Sequence, residues 1–402
     1  MLARLGALLL AAATLVATGP ASGSLSNGVE KQQAGHGPIK PKVFIISMFS
    51  PEGETWYGIP EFNVLEHNIT VPGFSPLFPQ VHCTKDGEIC QLTTGESEIN
   101  AASTVMSLVT SPHFDLRSTY FLIAGIAGGS PTLTTTGSVT FARYAVQVAL
   151  QYEIDPREAG SNFSTGYFAF DTDAPNTFPQ EWYGTEVFEV NDALRKKAVA
   201  FARKATLVDS NGAAAYRANY ASNASYKAGS SPPSVVECDV ATSDVYFSGD
   251  ILCEQFAIYT SVITNGTGVY CSTAQEDNAS LEALMRGAMA GLVDFSRIIV
   301  MRTISDFDRP YPGESALYNL VFAPQDGFDI AVANIYKAGI KIVQGILSGW
   351  KSEFEKGIKP TNYIGDAFES LGGKADFGPG ESLAETIGSL RRRRLPSYRR
   401  RR

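Results

Sequence analysis

The chain has 402 residues, which is enough for one large domain with or without insertions. Its net charge of −8 includes eight arginines in the last twelve residues, and without them the net charge would be −16. Such an acidic body argues against binding of a nucleic-acid phosphate backbone as the main role, so we expect no nucleic-acid partner.

Both ends of the chain are predicted to lie outside the folded domain. Residues 1–21 are typical of a secretory signal peptide, because Arg4 precedes the apolar run 5–17 and small residues follow. Residues 22–41, rich in Gly, Ser and Gln, are expected to form a flexible lead-in. Residues 386–402 are expected to form a basic, disordered tail. The signal predicts the secretory pathway, with an extracellular, cell-wall or vacuolar location.

The first half of the domain, which is predicted over residues 42–385, alternates strands and helices. Residues 42–48 are a continuous apolar run that predicts a buried strand, and a turn containing Pro and Gly ends it. A helix is predicted over 100–109. A second buried strand over 118–124 is expected to run into a glycine turn at 125–129. This order predicts the α/β class with a largely parallel sheet.

The second half continues the pattern around a predicted surface insertion at about 205–235. Lys337 and Lys341 interrupt the last apolar helix, so we expect it to cover the sheet and not to span a membrane. The predicted elements are two strands over 137–144 and 146–154, expected to be antiparallel, a helix over 190–206, strands over 240–247 and 268–272, a helix over 278–293, a strand over 298–306 and a helix over 329–350.

Five cysteines and five Asn-x-Ser/Thr sequons fit the secretory route and a glycoprotein. Cys83 and Cys90 are spaced to close a short loop, and the odd count leaves at least one thiol free or paired outside the chain. No Cys-x-x-Cys or His-rich spacing occurs, so we expect no metal site. Asn278 follows Glu276 by two residues, and we expect it to carry no glycan. The sequons are at Asn68, Asn162, Asn223, Asn265 and Asn278.

Two carboxylates stand where α/β domains commonly place polar site residues. The apolar run 298–306 delivers Arg302, Ser305 and Asp306 to the end of a predicted strand, and Glu276 precedes a predicted helix. Cleavage of a bond to a sugar needs an acid that protonates the leaving group. It also needs an anion that holds the hydroxyls of the sugar as it becomes cationic. The alternative is that both carboxylates are solvated residues at the ends of their elements.

Six short segments in order carry a family resemblance: Ile45-Ile46 to Glu52, Thr94-Gly95-Glu96, Ala124 to Gly129, Ser248-Gly249-Asp250, Gln275-Glu276 and Arg302 to Asp306. They resemble the nucleoside phosphorylase and nucleosidase superfamily, and the chain with its signal is most similar to the fungal purine nucleoside permease family. The resemblance implies a three-layer nucleoside phosphorylase-like fold, with a mixed, mostly parallel, twisted sheet flanked by helices. It also implies purine nucleosides as ligands and a homo-oligomer.

The resemblance implies roles for the residues of these segments. An Asp of the superfamily protonates or hydrogen-bonds the purine at N7, and similarity gives this role to Asp306, with Ser305 orienting it. Arg302 is expected either to help poise Asp306 or to form a structural salt bridge. Glu276 matches the carboxylate that holds ribose hydroxyls, and Gln275 stands where the family usually has Met. The implied substrate-binding residues include Gly125, Ile126, Ala127 and Gly128.

The first segment bears on the choice between water and phosphate as nucleophile. Phosphorylases of this type hold phosphate with an early Gly-Asp-Pro and a Ser or Thr in the glycine turn, where this chain has Ser50-Pro51-Glu52 and Ile126. Glu52 falls where nucleosidases keep a Glu that activates water, with Glu54 as the neighbouring candidate. The alternative for Glu52 is a solvated turn residue. The resemblance therefore favours hydrolysis, with phosphate only a possible co-substrate and no other cofactor.

Two further features have competing interpretations. Arg143 lies in a segment that resembles a strand near the sugar site of nucleosidases, or it pairs with an acidic neighbour, which we favour. Tyr167, Phe168 and Phe170 either stack on a base or belong to the core, and three aromatics in a strand-like run favour the core.

Three functions are compatible with these observations: an extracellular purine nucleoside hydrolase or phosphorylase, a non-catalytic nucleoside-binding protein that supports uptake, and a secreted protein that has lost the chemistry. We expect no apolar run of about 18 residues after the signal, whereas a membrane-spanning helix needs about 20. The chain is therefore not expected to be a channel, and a separate membrane transporter would move the product.

Overall fold

The computed structural model describes residues 37–378. The predicted signal segment, most of the lead-in and the tail 386–402 lie outside the described residues. Within 37–378 the strands β1 to β15 are Val43–Ser47, His67–Thr70, Gln80–Cys83, Ile89–Thr93, Tyr120–Gly129, Val139–Ala142, Tyr144–Gln147, Tyr152–Glu153, Tyr167–Phe168, Val187–Glu189, Val235–Glu237, Asp239–Thr242, Tyr270–Ala274, Ile298–Phe307 and Gly365–Asp366. The helices α1 to α7 are Ser50–Glu54, Glu98–Val109, Asp192–Ala202, Asn211–Arg217, Asp250–Ile263, Asp277–Met289 and Phe328–Ser348.

A large mixed sheet is built around β5. One edge of β5 pairs in parallel with β1, which pairs in parallel with β4, and the other edge pairs in parallel with β14. β1 reads Val-Phe-Ile-Ile-Ser and is buried on both faces, as expected of an interior parallel strand. Antiparallel ladders extend the sheet at β2–β3–β4, β6–β14 and β7–β10–β15. The predicted mixed α/β class is confirmed, although antiparallel pairs are more numerous than the sequence predicted.

Helices cover both faces of the sheet and make it the middle of three layers. α2 and α6 pack together over the face that includes Phe44, Phe121 and Val300. α3 and α7 cover the opposite face, where Leu122 and Met301 are buried. The alternation of side chains along each strand therefore supplies two separate hydrophobic cores.

The structure corrects three expectations. Residues 125–129 are not a turn, because they continue β5 and pair with β14 as far as Gly129. The strands predicted over 137–154 do not pair with each other: β6 pairs with β11 and β14, whereas β7 pairs with β10 and β12. The insertion contains α4, and its Tyr216 and Tyr220 pack against Phe307 at the end of β14. It is therefore part of the structure around that strand end.

The helix α7 differs from its description by sequence. It is long and apolar enough to cross a membrane, by length and composition only, so the expectation of no such run was wrong. Its buried residues, among them Ile335, Ala338 and Ile342, pack in the core cluster on one face of the sheet. Core packing therefore accounts for its apolar composition.

The cysteines form two disulfide bonds within the described residues. Cys83 is bonded to Cys90, as the spacing suggested, and Cys238 to Cys271, while Cys253 is a free, buried thiol. The second bond links the segment between β11 and β12 to β13. The sheet therefore carries covalent connections on both sides of β5.

Candidate functional site

The site lies along one edge of β5, between the end of its pairing with β1 and the start of its pairing with β13. β1 pairs with β5 only as far as Ile123, and β13 begins to pair with it at Gly128. Ile126 lies between these two ladders on that edge of β5. Its backbone N–H is bonded instead by a side chain, because Glu52 Oε1 accepts from it at 2.7 Å. The divergence of β1 and β13 thus leaves backbone groups of the sheet available to side chains.

Glu52 is a buried carboxylate that accepts the hydrogen bond which a neighbouring strand would otherwise accept from Ile126. It lies in the short helix α1 directly after β1, is 1 % exposed, and its Oε2 accepts from the N–H of Met48 at 2.7 Å. Burial raises the pKa of Glu52 to about 8, against the lowering effects of Arg302 and of two backbone N–H donors. Glu52 is therefore not a solvated turn residue. With a pKa of about 8, its carboxyl can gain or lose a proton near neutral pH.

The approach of Glu52 depends on the absence of a side chain at Gly125. A Cβ at Gly125 would lie 2.5 Å from Glu52 Oε1 and 2.7 Å from Met48 Cε. We expect Gly125→Ala to lower the free energy of unfolding by about 1–3 kcal/mol, because the buried carboxylate must move off Ile126. Urea unfolding measures it, with Gly128→Ala as the milder control, since its Cβ would meet Thr273 at 3.3 Å. Equal losses in the two variants would contradict this steric account.

Arg302 joins two carboxylates to the backbone of β5. It is 2 % exposed on β14, and its guanidinium donates to Asp277 Oδ1 at 2.8 Å, to Glu276 Oε2 at 3.1 Å and to the carbonyl of Ile126 at 3.1 Å. The positive charge of Arg302 also lowers the pKa of Glu52, against the larger effect of burial. No hydrogen bond joins Arg302 to Asp306 in the described residues, so the suggestion that it poises Asp306 is wrong and the salt-bridge alternative is correct.

Glu276 lies at the start of α6, next to the start of α2. Its Oε1 accepts from the backbone N–H of Ser97 at 3.1 Å, and its Oε2 accepts from Arg302. Gln275 turns towards the same helix start, because its amide donates to Ser97 Oγ at 3.2 Å and to the carbonyl of Asp244. Glu276 is 4 % exposed, and both of its oxygens are held by hydrogen bonds.

Asp306 is the last residue but one of β14, beside a bulge in the β5 ladder, and three groups surround its carboxyl. Ser305 Oγ lies 2.6 Å from Oδ1, the hydroxyl of Tyr246 donates to Oδ2 at 3.1 Å, and a Cβ on Gly128 would lie 3.4 Å from Oδ2. Burial raises the pKa of Asp306, while the bonds from Ser305 and Tyr246 lower it.

The hydroxyl of Ser305 faces two acceptors but has only one proton. Its Oγ lies 3.1 Å from the carbonyl of Ala127 and 2.6 Å from Asp306 Oδ1. When Ser305 donates to Ala127, a bond to Asp306 requires that the carboxyl itself carry a proton and donate to Oγ. A proton-carrying Asp306 is thus compatible with both contacts of Ser305, and burial acts in favour of that form.

The residues named from sequence therefore meet along one strand. Ile126 contacts Glu52 and Arg302, Ala127 contacts Ser305, and Gly128 lies against Asp306. Three residues of the site, Tyr246, Ser97 and Asp277, were not predicted from the sequence. Asp277 could have been predicted, because it follows Glu276 directly. Tyr246 lay inside a predicted strand, and no sequence pattern marked it as a site residue.

Other candidates belong to the structure around the site. Arg143 pairs with the buried Glu189 at 2.6 Å, as we favoured. Tyr167 packs against Phe256 in a core cluster, and Phe170 stacks on Tyr183. Within residues 37–378 no group of three His, Cys, Asp or Glu side chains is arranged to hold a metal ion.

Asn278 is buried in the first turn of α6. It is 1 % exposed, its amide donates to the carbonyl of Thr185 at 2.7 Å, and its oxygen accepts from the hydroxyl of Thr242 at 2.7 Å. A glycan on this amide would break both bonds, which supports the expectation that the sequon stays bare.

Comparisons with known proteins agree on one family. Residues 40–359 match the family model described as purine nucleoside permease. A purine nucleoside permease of Candida albicans is 49 % identical over 346 residues, which cover 84 % of this chain and 83 % of the relative. A probable purine nucleoside permease of Schizosaccharomyces pombe is 41 % identical over 323 residues, with 78 % of this chain and 90 % of the relative covered.

Solved structures with detectable similarity are more distant. A 5′-methylthioadenosine/S-adenosylhomocysteine nucleosidase from Neisseria meningitidis is 13 % identical with a TM-score of 0.45, covering 76 % of this chain and 99 % of its own. The futalosine hydrolase of Helicobacter pylori is 14 % identical with a TM-score of 0.41, covering 77 % of this chain and 97 % of its own. On the family model and the curated relatives, this chain belongs to the purine nucleoside permease family.

Proposed function

We propose that the chain binds purine nucleosides beside β5 and cleaves their N-glycosidic bond by hydrolysis. The observation that carries this proposal is that two buried carboxyls, Asp306 and Glu52, are held against β5, Asp306 through Ser305 and Ala127 and Glu52 through the backbone of Ile126. Family membership supports purine nucleosides as the ligand class. Secretion, a homo-oligomer and a separate membrane transporter are further parts of this proposal.

Asp306 supplies the proton for the departing base. Cleavage of the bond leaves negative charge on the purine, and a neutral carboxyl near N7 cancels that charge as it develops. Burial keeps Asp306 protonated to higher pH than an exposed carboxyl would be. Pyrimidines have no N7, so this chemistry selects purines.

Glu276 acts on the sugar. Both of its oxygens are already positioned by Ser97 and Arg302, and each keeps a lone pair that ribose hydroxyls can use. Those bonds strengthen as the sugar becomes cationic, so they stabilise the transition state more than the bound substrate. A carboxylate fixed in advance spends little energy on reorganisation during the reaction.

Glu52 favours water over phosphate as the nucleophile. Phosphate binding requires cationic or N–H donors, but the N–H groups of Ile126 and Met48 are bonded by Glu52. The nearby cation Arg302 is shared by Glu276 and Asp277. A phosphate dianion here would also face these carboxylates. In its ionised form Glu52 is able to take a proton from water.

The first test of the proposal is product analysis. The purified chain is incubated with inosine, guanosine and adenosine, with and without phosphate, and the products are separated by chromatography. Free base plus ribose in the absence of phosphate is the expected result. Base that appears only with phosphate, together with ribose 1-phosphate, would contradict the role of Glu52. Uridine is expected to stay intact.

The variant Asp306→Asn tests the acid. The amide keeps the shape of the side chain but has no transferable acidic proton, so we expect kcat for purine release to fall about 10²–10⁴-fold. Asp329→Asn, at an exposed position in the first turn of α7, is the matched control and should retain wild-type kcat. Wild-type turnover by Asp306→Asn would remove Asp306 from the mechanism.

A nucleoside-binding protein without catalysis is the second candidate. The name of the curated relatives and the hydrogen bonds that fix Glu276 both favour it, since a binder needs only recognition of ribose and base. Equilibrium dialysis with radiolabelled inosine distinguishes it from the enzyme. Saturable binding with no base release at high protein concentration would support the binder.

A further inference from the structure

Tyr246 is an exposed side chain held at the site by one bond. It is 64 % exposed, and its hydroxyl donates to Asp306 Oδ2 at 3.1 Å. Within the described residues it makes no other side-chain hydrogen bond and joins no aromatic pair. A largely exposed phenol with a single hydrogen bond to the protein can turn away when that bond is replaced.

The segment that carries Tyr246 is fixed at both ends. It connects β12 to α5. At one end Asp244 accepts from the N–H of Glu98 and from Gln275, and at the other the N–H of Gly249 donates to the carbonyl of Asp308. Between these anchors Val245 and Tyr246 are both exposed. Phe247, the next residue, is buried against Phe256, so the freedom to move is confined to Val245 and Tyr246.

The position of this hydroxyl conflicts with base binding at Asp306. Of the two carboxyl oxygens, Oδ1 faces Ser305, so Oδ2 is the atom open to a ligand. A purine that is to accept a proton from Asp306 must meet Oδ2, which Tyr246 occupies. We propose that Tyr246 is a specificity residue that guards Asp306 Oδ2 and gives it up only to a base with a ring-nitrogen acceptor at position 7. This inference rests on the proposed purine nucleoside function.

The exchange takes place at Oδ2, while Ser305 holds Oδ1. The hydroxyl of Tyr246 donates to Oδ2, and the hydroxyl of Ser305 donates to Oδ1. With a purine bound, Ser305 keeps its bond to Oδ1, and Asp306 carries on Oδ2 a proton that faces N7. Tyr246 then donates to water. Where Asp306 is ionised beforehand, that proton is taken up from solvent when the purine binds.

Equilibrium binding of inosine and of 7-deazainosine to the full chain tests the proposal. Tyr246→Phe removes the competing donor and keeps the ring. Inosine should therefore bind to this variant about threefold to tenfold more tightly than it binds to wild type. 7-Deazainosine has C–H in place of N7 and cannot replace the hydroxyl, so its affinity should not change. Tyr183→Phe, an exposed tyrosine stacked on Phe170, is the control and should match wild type for both ligands.

A second test is the pH dependence of kcat/KM, which a purely structural role of Tyr246 would leave unchanged. Tyr246 donates to the carboxylate form of Asp306, so its removal should move the high-pH limb of the kcat/KM profile upwards by about one pH unit. Equal affinities of wild type and Tyr246→Phe for inosine would overturn the inference and leave the proposed function standing. Weaker binding by Tyr246→Phe would also overturn it, since the hydroxyl would then be a direct ligand. Absence of purine nucleoside binding by wild type would overturn both.

Discussion

Arg302→Met is expected to lower the free energy of unfolding by about 3–5 kcal/mol, the largest stability loss we expect from a single substitution at the site. Methionine fills much of the same volume, but it leaves Glu276 and Asp277 buried with no countercharge. The hydrogen bond to the carbonyl of Ile126 is lost as well. Urea unfolding at neutral pH measures the loss without the screening that guanidinium would introduce.

The matched control for this prediction is an exposed pair. Arg203 donates to Glu237 at 3.1 Å on the surface, with 56 % of its side chain exposed, so Arg203→Met should cost less than about 1 kcal/mol. A loss below about 1 kcal/mol for Arg302→Met as well would contradict the account, because it would mean that the carboxylates regain water or protons when Arg302 is removed. In that case Arg302 would not be needed to hold Glu276.

Glu52→Gln is expected to reduce hydrolysis about 10²–10⁴-fold, because the amide cannot take a proton from water. Phosphate should not restore turnover, since no cationic ligand is created. For wild type, kcat/KM should rise with pH through about 8 as Glu52 loses its proton. Glu54→Gln, two residues further along and exposed, is the control and should keep wild-type turnover and pH dependence. An unchanged kcat in Glu52→Gln would end the proposed role of this residue.

The same substitution should also change how the free energy of unfolding depends on pH. The folded pKa of Glu52 is raised to about 8 from an ordinary value of 4.5, so between these values the native state binds more protons than the unfolded state. Wild-type stability should therefore fall as pH rises through this window, by up to about 1.4 kcal/mol per pH unit from this group. Glu52→Gln should lose that dependence, and urea unfolding at pH 5 and pH 8 measures it.

The sequence predicted the elements of the site better than their contacts. Glu52 after a buried strand, Glu276 before a helix and Asp306 at a strand end were all visible as changes from apolar to polar sequence. Their partners were not visible, because Arg302 and Asp277 lie 25 residues apart and meet only when α6 packs on the sheet. The suggested link between Arg302 and Asp306 failed for this reason: along β14 they lie close in sequence, but the guanidinium turns to α6.

The glycine-rich residues 125–129 show the same limit. Glycines in sequence favour a turn, and local propensity offered no reason to extend the strand. The tertiary structure decided otherwise, because β14 supplies a ladder partner along all of β5 and buries it. Gly125 is small because a carboxylate from α1 approaches it, and Gly128 because Asp306 lies against it.

The sequence by itself determined the α/β class, the order of the main strands and helices, and the three carboxyl residues at their ends. Hydrophobic periodicity is a local property, so a single chain displays it without reference to its neighbours. Only the tertiary structure decided that β1 and β13 diverge along β5, that Glu52 bonds the backbone N–H left without a strand partner there, and that Tyr246 holds Asp306. These contacts join residues far apart in the chain, and they form only because packing of the two cores fixes where each strand ends.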